Sequence, residues 1–127
     1  MESNWYIEDY ITLDGKRPVL EFIESLPVKD QYKVRYSLEL LAQSGIQLRE
    51  PHAKAIRGEN NLFELRTRLA NNIQRIFYFH HVDNRFILLH GFTKKTQKTP
   101  PLEIETAKKR KEDYLLRHKE KQIHGAV

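Results

Sequence analysis

Leu62-Phe63-Glu64-Leu65-Arg66-Thr67-Arg68-Leu69, then Asn71-Asn72, then Ile73-Gln74-Arg75-Ile76-Phe77-Tyr78-Phe79-His80-His81 is the stretch that decides the fold. Phe63, Leu65, Thr67 and Leu69 alternate with Glu64, Arg66 and Arg68, the period-two pattern of a half-buried strand with its charged face outward. Asparagine tolerates a left-handed backbone, so Asn71-Asn72 reads as a hairpin turn into a second strand from Ile73 to His81. Asp83-Asn84 is a second such turn, and Arg85 to Phe92 a third strand. Antiparallel pairing across the first turn brings Arg75 near Arg66 or Arg68. The third strand runs directly into Thr93-Lys94-Lys95-Thr96-Gln97-Lys98, so cations converge on one part of a three-stranded meander.

Working outward, Trp5, Ile7 and Ile11 with Tyr6 and Tyr10 make an aromatic and β-branched opening strand, stopped by Asp14-Gly15. Pro18 suits a first helical turn, and Val19, Leu20, Ile23 and Leu26 recur at helical spacing until Pro27. Val34, Leu38 and Leu41 mark a longer helix from Val28 to Ser44, with Gly45 placed to end it. Residues 46–61 read as an irregular connection with at most a short strand around Lys54 to Ile56. Thr99 caps a last helix opened by Pro100 and Pro101, with its end from about residue 119 frayed. The expectation is one α+β domain over residues 1–127: strand, two helices, three-stranded antiparallel meander, terminal helix, with the helices on one sheet face.

The chain has 127 residues, the size of one core and one site. It has no cysteine, which removes thiolate chemistry and disulfides and fits a reducing compartment; the cytoplasm is the expected location. No apolar run reaches the roughly 20 residues of a membrane span, and the N-terminus lacks the basic-then-apolar order of a signal peptide, so no membrane partner is expected. The net charge is +5, but its distribution says more: residues 52–98 hold 9 Lys and Arg against 3 Asp and Glu, whereas residues 1–51 hold 6 against 9. Positive charge is concentrated in the meander, where an anionic ligand such as nucleic acid would use it.

Glycine-rich phosphate loops, paired metal-binding histidines and serine-nucleophile elbows are missing. His80 and His81 are adjacent and face opposite sides of a strand, so they do not share a metal; no metal or cofactor is expected. His90 reads either as a proton carrier or as a hydrogen-bonded structural histidine. Glu64 reads either as a site residue or as the ion-pair partner of a neighbouring arginine. Tyr78 or Phe79 is either a base-stacking ring or core. Lys108 to Lys111 is a solvated basic face that adds affinity for nucleic acid without sequence choice.

Phe63-Glu64-Leu65-Arg66, Arg75-Ile76-Phe77-Tyr78, Leu89-His90-Gly91-Phe92-Thr93-Lys94-Lys95-Thr96-Gln97-Lys98-Thr99-Pro100, and Glu103-Ile104-Glu105 with Ala107 together resemble the RelE/ParE superfamily of type II toxin-antitoxin toxins, most closely its phage-related HigB-like branch. The resemblance implies a RelE-like fold and a toxin that enters the ribosomal A site and cleaves mRNA without a metal, the 2′-hydroxyl attacking the adjacent phosphate. Such a site needs a base, an acid and cations for the charge of the transition state. Arg66, Arg75 and Lys95 are then the expected phosphate and transition-state ligands, with Glu64, His90 and Lys54 as candidates for moving protons. Lys54, Arg68, Lys94 and Lys98 are the expected RNA-binding cations. Better-known relatives carry lysine where this chain has Glu64, and an aromatic residue after the last strand where it has Pro100-Pro101. The implied partners are an antitoxin with a helix-turn-helix domain, the ribosome and mRNA, with operator DNA reached only through the antitoxin. The competing reading is a ParE-like toxin that poisons DNA gyrase and cuts no RNA; a third is a silent basic subunit acting through its partner.

Overall fold

The computed structural model describes residues 5–95 and 99–125, with side chains through 119. In chain order the elements are β1 (Tyr6–Asp9), α1 (Pro18–Glu24), α2 (Val28–Ser44), β2 (Ala53–Ala55), β3 (Phe63–Leu69), β4 (Asn72–His81), β5 (Arg85–Lys94) and α3 (Pro101–Gly125), with a single 3-10 turn at Gly45–Gln47 after α2. The meander forms as expected, β3 against β4 against β5, all antiparallel. It is the centre of a five-stranded sheet in the order β1-β5-β4-β3-β2, in which β1 lies parallel to β5 and the short β2 lies along the first half of β3.

Helices cover both faces of the sheet, not one. Val19 and Ile23 of α1 and Val34 and Leu41 of α2 pack on Leu65, Ile76, Tyr78, Phe86 and Leu88. On the other face Ala107, Ile104 and Tyr114 of α3 pack on Phe77, Phe79, Ile87 and Leu89. The two clusters use alternate residues of the same strands, which is why Ile76 to Phe79 and Phe86 to Leu89 are continuous apolar runs. Burying a side chain such as Phe77 or Phe79 contributes about 1.5–3 kcal/mol each, so these runs fix the register of the strands.

Local chemistry sets the joints. The first hairpin turns at Ala70 and Asn71, one residue earlier than the asparagine pair suggests, because Leu69 pairs with Asn72 and Ala70 takes the positive φ of 54°. At the second hairpin Asp83 and Asn84 both take positive φ, 63° and 57°, the conformation their side chains tolerate. Gly45 ends α2 at φ 58°, and a Cβ there would lie 2.0 Å from the Trp5 ring, so glycine is required both for the backbone and for the contact.

α3 is also held by polar contacts. Tyr10 Oη donates to Asp113 at 2.6 Å, Tyr114 Oη donates to Glu8 at 2.7 Å, and Lys111 Nζ donates to the Asn60 and Asn61 carbonyls at 2.7 and 3.0 Å. The helix covers the β5 and β4 part of its face and leaves the far end, where β3 and β4 turn, uncovered by any helix among the described residues. Arg66, Arg68, Arg75 and Lys94 lie at that end.

Candidate active site

Register puts six charged residues on one face. Arg66 pairs with Arg75 across β3 and β4, Lys54 with Glu64 across β2 and β3, Arg68 with Ile73, and Ile73 with Lys94 on β5. Directly paired residues point the same way, so Lys54, Glu64, Arg66, Arg68, Arg75 and Lys94 share the face that carries α3.

Two arginines placed opposite each other repel, and Glu64 is what holds them together. Arg66 Nε donates to Glu64 Oε1 at 3.0 Å, and Arg75 Nη1 donates to the same oxygen. Glu64 is 2% exposed and Arg75 4%, whereas Arg66 is half-buried. The expectation of an outward charged face therefore holds for Arg66 and Arg68 but not for Glu64, which is buried beneath its two partners. Glu64 Oε2 and Arg75 Nε are buried without a hydrogen-bond partner among the described residues. Burial lowers the pKa of the Arg75 guanidinium from its ordinary value, though an arginine remains a cation at neutral pH.

Lys94 is 9% exposed, and its pKa is lowered by burial first and then by the charge of Arg75, with Arg66 and Lys54 adding to the effect. An amine in that setting gives up its proton more readily than an ordinary lysine.

An open cleft of about 760 Å³ joins this cluster to helix α2. Arg66, Arg68, Arg75, Lys94 and Lys95 line it, together with His52 and with Lys33, Tyr36 and Leu40 of α2. Of the residues expected at the site, the structure brings these five cations to the cleft. Lys54 is exposed on the same face and near enough to act on Lys94, but does not line the cleft. Lys98 lies outside the described residues.

His90 is placed elsewhere. Arg110 Nη1 lies 3.1 Å from its Nδ1 and can only donate, so Nδ1 accepts and Nε2 donates to Glu103 Oε2 at 3.0 Å. Both ring nitrogens are thus occupied by α3, burial lowers the His90 pKa, and the ring does not reach the cleft. Tyr78 and Phe79 are core, 3% and 1% exposed, on opposite faces, and neither can stack on a ligand.

His52, Tyr36 and Lys33 are absent from the set expected from sequence. His52 follows Pro51 in a connection with no periodicity, and the α2 residues stand on the outer side of a helix read for its buried stripe. Only the fold reveals that both border the cleft. The signal for His52 is its backbone, whose carbonyl accepts from Arg66 N at 2.8 Å. Among the described residues no group of three or more His, Asp or Glu could hold a metal ion, and no helix is long and apolar enough to cross a membrane.

Residues 21–112 match the family model described as Phage derived protein Gp49-like (DUF891). The chain belongs to this family. The fold matches a chain of the crystal structure of the archaeal RelE-RelB complex from Pyrococcus horikoshii OT3, with a TM-score of 0.51 and 16% identity over 76% of this chain and 99% of that one. No curated protein matches. This Gp49-like chain thus has the RelE-like α+β fold, the fold that the resemblance carried by its meander implies.

Proposed function

We propose that this Gp49-like protein is a toxin, an endoribonuclease that cuts mRNA on the ribosome without a metal, in a cell where an antitoxin neutralises it. The observation that carries the reading is the Arg66–Arg75 pair sharing Glu64 beside Lys94, at one end of a cleft open to solvent. Cations fixed in this way before substrate arrives bind a phosphodiester and stabilise the extra negative charge when a 2′-hydroxyl attacks it. Glu64 acts by positioning, since it is buried and both arginines lean on one of its oxygens.

Two titratable groups on the cleft wall divide the proton work. His52 is exposed at the rim beside Arg66, where its imidazole can accept the proton of the attacking hydroxyl. Lys94, protonated but with its pKa lowered, is suited to donate to the leaving 5′-oxygen. The products are a 2′,3′-cyclic phosphate, formed by the new bond from the 2′-oxygen, and a 5′-hydroxyl that has received the proton. Arg75, which lines the cleft beside Arg66, adds its positive charge to the phosphate site. An antitoxin is the expected protein partner, because the RelE chain of similar fold is found in complex with RelB.

The experiment maps mRNA ends after adding the protein to translating ribosomes, with Arg66→Ala and Lys94→Met as controls that leave the Glu64–Arg75 pair intact. Wild type produces new 5′-hydroxyl ends and both variants lose about 10²-fold or more in rate at unchanged thermal midpoint. Intact mRNA combined with inhibition of purified gyrase overturns the reading in favour of a ParE-like toxin.

A further inference from the structure

We propose that Tyr36 of α2 forms a nucleobase-stacking subsite of this cleft, so that single-stranded RNA crosses the free edge of β3 from the arginine face to the helix. The inference rests on the ribonuclease reading and adds where the substrate is held beside the cut.

The geometry of β3 makes the crossing available. Among the described residues β2 pairs with β3 only between Phe63 and Leu65, and beyond the Arg66 N to His52 O bond the outer edge of Thr67 to Leu69 carries no strand. Along that edge Arg66 and Arg68 point to one face and Thr67 to the other. Thr67 Oγ1 donates to Ser37 Oγ at 2.8 Å in a buried contact, which holds α2 against the residue between the two arginines. Tyr36, the next residue of α2, therefore stands beside the sheet edge, 58% exposed, and lines the same cleft as Arg66 and Arg75.

The neighbours of Tyr36 suit a polyanion with bases. Lys33, one turn earlier, and Arg68 across the edge are exposed cations that border the cleft and can meet phosphates on either side of a stacked base. Leu40, one turn later, gives an apolar flank. An aromatic ring open to solvent in a cationic groove is the arrangement by which single-stranded nucleic acid is held without sequence choice. At this exposure the ring adds little to the core.

The test uses the full chain on programmed ribosomes, with Tyr36→Ala and Tyr36→Phe and with mRNAs carrying one abasic nucleotide at each position around the cut. Tyr36→Ala lowers kcat/KM about tenfold, chiefly through KM, and Tyr36→Phe stays within about twofold of wild type, since stacking needs the ring and not the hydroxyl. One abasic position lowers wild type by about the same factor and lowers Tyr36→Ala no further. An abasic penalty equal in both proteins overturns the subsite, and so does a Tyr36→Ala protein that cuts like wild type. So does loss of antitoxin binding with cleavage unchanged, which assigns the ring to the protein partner. A wild type that cuts no mRNA overturns the nuclease reading and the subsite together; a wild type that cuts while Tyr36 has no effect overturns the subsite alone.

Discussion

Arg66 and Arg75 face each other across β3 and β4 and both donate to one oxygen of Glu64. The arrangement inverts the usual arithmetic of an ion pair, since one carboxylate holds two cations and leaves an excess of positive charge at the cleft. Desolvation opposes burying such charges, and on the proposed nuclease reading the geometry presents phosphate with cations that do not have to reorganise.

The first expected outcome concerns Glu64. Glu64→Ala leaves Arg75 buried without its counter-charge and costs about 3–5 kcal/mol, seen as a lower urea midpoint. Glu64→Gln keeps an acceptor at the same place and costs less. The double variant Glu64→Ala with Arg75→Ala loses less stability than the sum of the single changes, because each single change strands the other partner. Additive losses would show that the contact contributes nothing as a pair.

On the proposed nuclease reading, Lys94 sets the alkaline limb of cleavage. Its pKa is lowered, so as pH rises the amine loses its proton below the 10.5 of an ordinary lysine, and a donor of protons fails there. The profile of kcat/KM against pH falls before pH 10.5. His52→Ala loses about 10²-fold in rate, and Lys94→Arg removes the alkaline limb at a lower plateau because guanidinium is a poor acid. A wild-type rate in His52→Ala together with an unchanged profile in Lys94→Arg would assign the proton work elsewhere.

Gly45 tests the fold independently of the site. Gly45→Ala forces an L side chain into φ 58°, ψ −134° and drives its methyl into the Trp5 ring. The cost is roughly 2–3 kcal/mol and the thermal midpoint falls by roughly 10 °C, measured by circular dichroism. Cleavage by the folded fraction is unchanged, since neither residue borders the cleft.

These outcomes rest on features of unequal legibility in the sequence. The meander was readable because the alternation from Phe63 to Leu69 and the turn residues Asp83 and Asn84 are local signals, and α2 runs from Val28 to Ser44 as its stripe and Gly45 imply. The second helical layer was readable only from Ile76 to Phe79, a continuous apolar run in a strand that period-two reasoning treats as one-sided. The burial of Glu64 was not readable, because it depends on the Arg66–Arg75 register, a pairing between strands. His52 and Tyr36 were silent for the same reason: their place at the cleft depends on the packing of α2 and the β2 approach against β3.

The last expected outcome concerns acid stability and gives His90 a role away from the chemistry. Burial lowers the pKa of both His90 and His81, and His118 and Arg85 lower that of His81 further. A lowered folded-state pKa means that the unfolded chain takes up protons first as pH falls. The stabilisation is present above the ordinary 6.5 and is lost as pH drops through the folded-state values. For His90, protonation puts a hydrogen on Nδ1 facing the Arg110 guanidinium, while its Nε2 bond to Glu103 partly compensates. For His81, whose Nε2 is buried without a hydrogen-bond partner among the described residues, the charges of Glu8 and Asp83 oppose the shift only in part. The urea midpoint of wild type therefore falls between about pH 7.5 and 5.5, and His81→Phe, which keeps the ring packing on Phe79 and Tyr114, flattens that fall more than His90→Asn does. A pH dependence identical in wild type and His81→Phe would show that His81 does not carry the acid sensitivity.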